Sequence, residues 1–252
     1  MSHYSLDFRL PLMNAAGFLG FAPEPRGRVP LESLGAFITN PISRAPHTPA
    51  RERGVTLSPG SALLHSGLPN PGLSAAIRKH GSRWGRGPLP VIVHLMTGAP
   101  HETAAMVRRL EGLDNVMAVE LGLQEEMDER AAADIVRAAL GELPIIARVP
   151  LGAQHLAAAA MDAGASAVSL GPPGGAPDEE GGPPRGRLYG PEVFPAALAA
   201  VGALAGQGLP VIGAGGVYTQ DQSAAMLDAG ALAIQLDMVL WRGDWDFKRG
   251  VQ

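Results

Sequence analysis

The chain has 252 residues, a formal charge of −4 and no cysteine, with 46% hydrophobic and 17% charged residues. A mildly acidic chain without a basic block is a poor partner for nucleic acid or an anionic membrane, and zero cysteine excludes disulfides, thiolate metal sites and a cysteine base. No apolar run approaches the roughly 18 residues of a membrane span, and residues 1–10 lack a signal-peptide core, so a cytoplasmic protein is expected.

Taken in chain order, the sequence alternates short apolar runs with Ala- and Leu-rich amphipathic stretches. Residues 12–16 read as a first strand, residues 32–35 as a minimal helix and residues 36–39 as a second strand. Residues 41–60, rich in Pro and Arg, interrupt the pattern and read as an irregular loop. A helix over 71–80 is entered through Pro71. A strand at 91–95 leads to a helix over 102–113, a strand at 117–121 to a helix over 129–140, and a strand at 145–149 to a helix over 154–163 that stops at Gly164. After a strand at 167–170 comes a second irregular loop, 171–190, dominated by Gly and Pro and carrying Asp178, Glu179 and Glu180. A helix over 191–204, a strand at 211–213, a helix over 220–229 and a strand at 232–236 complete the chain. Thr219 and Gln222 have the spacing of a capping box.

Eight strands separated by helices predict a single (β/α)8 TIM barrel over residues 1–252. An open doubly wound sheet, usually of about five to seven strands, fits less well. Both irregular loops emerge at the C-terminal face, where barrel active sites lie. Residues 171–190 read equally as a lid or as a disordered surface loop.

The strand ends give the candidate site: Asn14-Ala15-Ala16-Gly17, Thr39-Asn40, His94, Glu120, Arg148, Ser169, Gly213-Ala214-Gly215-Gly216 and Asp237. Glycines before a capped helix suit a bound phosphate. Asp237, at the end of the eighth strand, works against one by charge. Small residues at Ala15, Ala16 and Gly17 would let a flat ring lie on the backbone. Pro71 holds Asn70 extended, so its amide either faces a ligand or caps the next helix. Glu125, in the acidic segment after the fourth strand, is either a solvated helix start or a base. The histidines form no ligand set, so no metal is expected. A small-molecule substrate is the expected partner. Glu120 or Asp237 could also serve as base in a phosphate-binding lyase or isomerase.

Leu12-Met13-Asn14-Ala15-Ala16-Gly17, Leu34-Gly35-Ala36-Phe37-Ile38-Thr39 and Ser66-Gly67-Leu68-Pro69-Asn70-Pro71-Gly72 resemble the dihydroorotate dehydrogenase family, soluble class 1 type. Tyr189-Gly190-Pro191 and Val211-Ile212-Gly213-Ala214-Gly215-Gly216-Val217 are similar to that family's two flavin-phosphate turns. The resemblance implies a barrel carrying FMN, hydride transfer from dihydroorotate in pyrimidine metabolism, and a homodimer. FMN would lie over Ala15, Ala16 and Gly17, with its phosphate at Gly190, Gly215 and Gly216. Asn40 stands at the position of the family's lysine, Arg148 at that of a second lysine, Asn70 at a substrate amide and Glu125 at the catalytic cysteine. Gly171 replaces another substrate asparagine, and Asp237-Met238 replaces a small Gly-Thr pair. These departures imply an FMN oxidoreductase acting on something other than dihydroorotate. The alternative is a non-catalytic barrel without flavin, serving as a partner or regulatory protein.

Overall fold

The computed structural model describes residues 6–51, 54–175 and 186–247. In chain order the elements are β1 (Leu12–Asn14), β2 (Phe37–Ile38), β3 (Gly54–Ser58), β4 (Ser61–His65), α1 (Leu73–Arg86), β5 (Val91–Met96), α2 (Pro100–Arg108), β6 (Val116–Gly122), α3 (Glu129–Ala139), β7 (Ile145–Pro150), α4 (Leu156–Asp162), β8 (Ala167–Gly171), β9 (Gly174–Gly175), β10 (Gly186–Tyr189), α5 (Phe194–Gly206), β11 (Val211–Ala214), α6 (Gln220–Asp228), β12 (Ala231–Leu236) and α7 (Val239–Arg242). Among these, no helix is long and apolar enough to cross a membrane.

Eight strands form one all-parallel sheet in the order β1-β12-β11-β8-β7-β6-β5-β2. These are the eight strands expected from the sequence, their ends displaced by no more than two residues. The seam between β1 and β2 has one backbone bridge, Met13 to Ala36. Asn14 completes it with its side chain. Its Nδ2 donates to the Ile38 carbonyl at 2.6 Å, and its Oδ1 accepts from the Ile38 N–H at 3.0 Å. The sheet is thereby closed as a (β/α)8 barrel, with an amide replacing a missing ladder.

Alternation along each strand builds two cores. Inward residues Met13, Ile38, Ile92, Ala118, Ile146, Ala167, Ile212 and Ala233 fill the barrel, large beside small. Outward residues such as Val91, Val93, Val119 and Val168 pack under the helices. Asp128 caps α3 by accepting from the Ala131 N–H at 2.7 Å, and the Thr219–Gln222 capping box opens α6.

Residues 41–60 are not irregular throughout. β3 pairs antiparallel with β4, β4 with β10 and β10 with β9, giving a four-stranded sheet over the barrel mouth. The tight turn between β3 and β4 uses Gly60 at φ +86°, a conformation that only glycine adopts freely. β9 and β10 likewise give order to parts of 171–190. The remainder of that expected loop, 176–185 with its acidic cluster, lies outside the described residues. Several helices also differ from expectation. The helix expected over 102–113 is α2, which starts at Pro100 and ends at Arg108, and the minimal helix expected at 32–35 is a 3-10 turn, Leu31–Ser33. α1 runs on to Arg86 through Gly81 and Gly85, the latter lying against Asp114, where a Cβ would come to 3.1 Å. Residues 191–204 divide into a 3-10 turn, Pro191–Val193, and α5. α7 had no separate signal.

Candidate functional site

Two residues above the apolar floor of the barrel, the same inward phase turns polar in five of the strands. Ile92 is followed by His94, Ala118 by Glu120, Ile146 by Arg148, Ala167 by Ser169 and Ala233 by Gln235. All five polar residues are buried. Glu120, fully enclosed, is the hub. Its Oε2 lies 2.6 Å from His94 Nδ1, and its Oε1 accepts from Ser169 Oγ and Gln235 Nε2, both at 2.7 Å.

Three donors on one carboxylate satisfy an ionised acid. Burial alone would push the Glu120 carboxyl up. The His94 hydrogen bond and the Arg148 charge outweigh it and hold the carboxyl well below its ordinary range. Burial pushes His94 down, against the pull of Glu120. The pair is therefore a carboxylate and a neutral imidazole at neutral pH. Its Nδ1–H donates to Glu120, which leaves Nε2 as a bare acceptor. Glu120 is thus enclosed and engaged, so the base position that the lyase reading gave it has no free face.

His94 and Arg148 line a cavity of about 480 Å³ at the C-terminal mouth, with Arg187 on its rim. Ala16, Gly17, Phe18, Val55, Leu64 and Leu68 contribute most of its apolar wall. The same three polar residues border a second cavity of about 230 Å³, reaching toward Thr97 and Gly122. Arg148 is 7% exposed, and its Nε–H has no acceptor among the described residues. Ala16 and Gly17 line the cavity, whereas Ala15 is packed in the core between strands and helices.

FMN, implied by the resemblance, would have to set its phosphate at Gly190, Gly215 and Gly216. The chain places its own anion there. Asp237 is 4% exposed. Its Oδ1 accepts from the Met238 N–H at 2.6 Å, and its Oδ2 from the Gly216 N–H at a long 3.5 Å. Burial pushes the Asp237 carboxyl up to about 6, against the pull of those N–H groups and of Arg148. It is still mostly ionised at neutral pH, so a phosphate would meet a buried like charge. The glycines have reasons of their own. A Cβ at Gly216 would lie 2.5 Å from the Phe194 nitrogen and 2.7 Å from the Gly190 carbonyl oxygen.

Tyr189 is buried beside this turn, its ring edge-on to Phe18 at 5.2 Å, while Phe18 packs against Trp241 at 4.8 Å. Burial pushes the Tyr189 hydroxyl up, with the charges of Arg148 and Arg187 acting against that and Asp237 adding to it. The residues present do not fit a flavin phosphate at this turn.

The other predicted residues serve the scaffold or stand apart. Asn40 accepts the Gly20 N–H on Oδ1 at 3.0 Å, clamping the loop after β1. Asn70 Oδ1 accepts from the Ser43 N–H, the Ser43 hydroxyl and the Gly72 N–H, all within 3.0 Å. Its Nδ2 donates to the Leu68 carbonyl at 3.1 Å. That amide fastens two loops together. Glu125 is exposed and borders an adjoining cavity of about 700 Å³ with Glu126 and Arg187, away from His94. Sequence reasoning missed Gln235 and Arg187, and it named Tyr189 and Leu68 only as members of motifs, without a place in the cavity wall. Gln235 carried a signal, as a polar residue in phase within an apolar run.

No family model matches the chain. Curated relatives do. It is 31% identical to the dihydroorotate dehydrogenase B (NAD(+)) catalytic subunit of Trichlorobacter lovleyi, over 92% of this chain and 84% of that protein. The protein of the same name from Pelobacter propionicus is 30% identical with the same coverage. That of Geobacter sulfurreducens is 31% identical over 92% of this chain and 83% of its own. With likeness at this level along nearly the whole barrel, the chain belongs to the dihydroorotate dehydrogenase family.

Proposed function

We propose that this family member binds a small-molecule ligand at the barrel mouth and neither holds FMN in the family manner nor oxidises dihydroorotate. One observation carries the reading: the Asp237 carboxylate sits on the Gly216 N–H, where the flavin phosphate would have to lie. The chemistry agrees. Oxidising dihydroorotate removes a proton from carbon, which needs a base poised beside the substrate. Glu125, at the family's cysteine position, is a solvent-exposed carboxylate facing an anionic substrate. Asn40 and Asn70 are held by the chain's own backbone. A polar ring anion would forfeit about 1–3 kcal/mol for each amide it fails to meet.

A second reading, an FMN-dependent oxidoreductase with another substrate, draws on the catalytic-subunit relatives and on the small residues at Ala16 and Gly17. In that case Arg148 would supply positive charge beside the ring; FMN, when bound, accepts hydride. Both readings place the protein in the cytoplasm as a homodimer without nucleic-acid or membrane partners.

Incubation with excess FMN, gel filtration and measurement of retained visible flavin absorbance distinguishes the readings. No retained flavin is expected. The variant Asp237→Gly/Tyr189→Ser, which removes the internal anion and the aromatic wedge, is expected to retain more flavin than the parent. Stoichiometric flavin on the unaltered protein would select the second reading.

A further inference from the structure

The side chains of Arg148 and Arg187 have no hydrogen-bond or ion-pair partner among the described residues. They also oppose each other: loss of solvent and then the Arg148 charge lower the proton affinity of Arg187, against the pull of Tyr189, Glu125 and Glu126. A guanidinium that is nearly enclosed, with an orphan Nε–H, calls for an acceptor. Both arginines line the cavity of about 480 Å³ that His94 also lines. There His94 presents Nε2 as an acceptor, because its other nitrogen is committed to Glu120. The remaining wall is mostly apolar, from Phe18, Val55, Leu64, Leu68 and Trp241, with His65, Ser66 and Tyr189 among them. Leu68 is held at φ +48°, a strained conformation for leucine, on this wall.

We propose that the cavity binds an aromatic organic anion. Its acidic group lies between Arg148 and Arg187, its apolar body lies on Leu64, Leu68 and Val55, and its hydroxyl or amino hydrogen is accepted by His94 Nε2. The wall selects against a pyrimidine carboxylate, whose polar ring edges would face aliphatic carbon. This site rests on the reading that no FMN fills the cavity, and it gives that reading a ligand class.

Calorimetric titration of the intact protein with a hydroxynaphthoate, and with naphthol as its uncharged counterpart, tests it. Saturable binding of one equivalent of the naphthoate is expected, with no detectable binding of naphthol. Arg148→Met and Arg187→Met should each weaken the naphthoate roughly tenfold or more, the loss of one charge-assisted hydrogen bond. The His94 imidazole resonance should shift on addition of the naphthoate. Arg187 stands on the exposed rim, so its variant reports on the site even if Arg148→Met fails to fold. Absence of naphthoate binding, equal binding of naphthol, or unchanged affinity in Arg187→Met overturns the proposal. Parallel FMN titration separates the two levels. No naphthoate binding without FMN uptake removes the anion site alone, whereas FMN uptake removes the reading beneath it.

Discussion

A carboxylate enclosed at a glycine turn makes the protein sensitive to pH at one residue. The Asp237 carboxyl, at about 6 in the fold against 3.8 unfolded, binds its proton more tightly in the native state. Its contribution to stability is therefore complete below the unfolded value and is lost as pH rises through about 6. The difference corresponds to about 3 kcal/mol. Asp237→Asn should be more stable than the parent by about 2–3 kcal/mol near pH 8, and the gap should close toward about pH 4. Urea denaturation of both proteins across that range measures it; a pH-independent gap would contradict the assigned burial of charge. Asn14 acts in the opposite sense. Asn14→Ala would strand the Ile38 N–H and carbonyl at the barrel seam, so a loss of about 2–4 kcal/mol is expected in the same assay. At this scale the sequence was readable mainly where strand phase decides. His94, Glu120, Arg148, Ser169 and Asp237 all follow from period two and the C-terminal-face rule, although Gln235, in the same phase, went unread. Arg187 was not readable, because it belongs to β10, in a stretch whose Gly and Pro content reads as loop; Tyr189, beside it, was visible only through its motif.

Elements were legible in proportion to how local their determinants are. The capping box at Thr219 and Gln222 is visible in four residues and is present in the fold. Thr219→Ala should cost about 1 kcal/mol, observable as a lower melting temperature in calorimetry. The sheet formed by β3, β4, β9 and β10 was not legible. Its pairing is long-range, joining residues after the second barrel strand to residues after the sixth, and short strands give little pattern of their own. Val55 and Leu57 of β3 also face solvent, at 62% and 76% exposure, which inverts the usual sense of strand alternation. That sheet carries Val55, Leu64 and Arg187 to the cavity, so the half of the site it builds was hidden along with it.

For the molecule as a whole, ancestry and site diverge. The parallel barrel accompanies a likeness to dihydroorotate dehydrogenase B catalytic subunits along nearly the entire chain. Function lives in the site and not in the fold, and in the proposed reading the chain's own groups at this mouth take the places of a cofactor phosphate and a polar substrate. Equilibrium dialysis of the unaltered protein against FMN at neutral pH tests most directly whether Asp237 and Tyr189 close the flavin-phosphate position. No flavin in excess over the buffer compartment is expected; one equivalent of bound FMN per chain would show the position to be open.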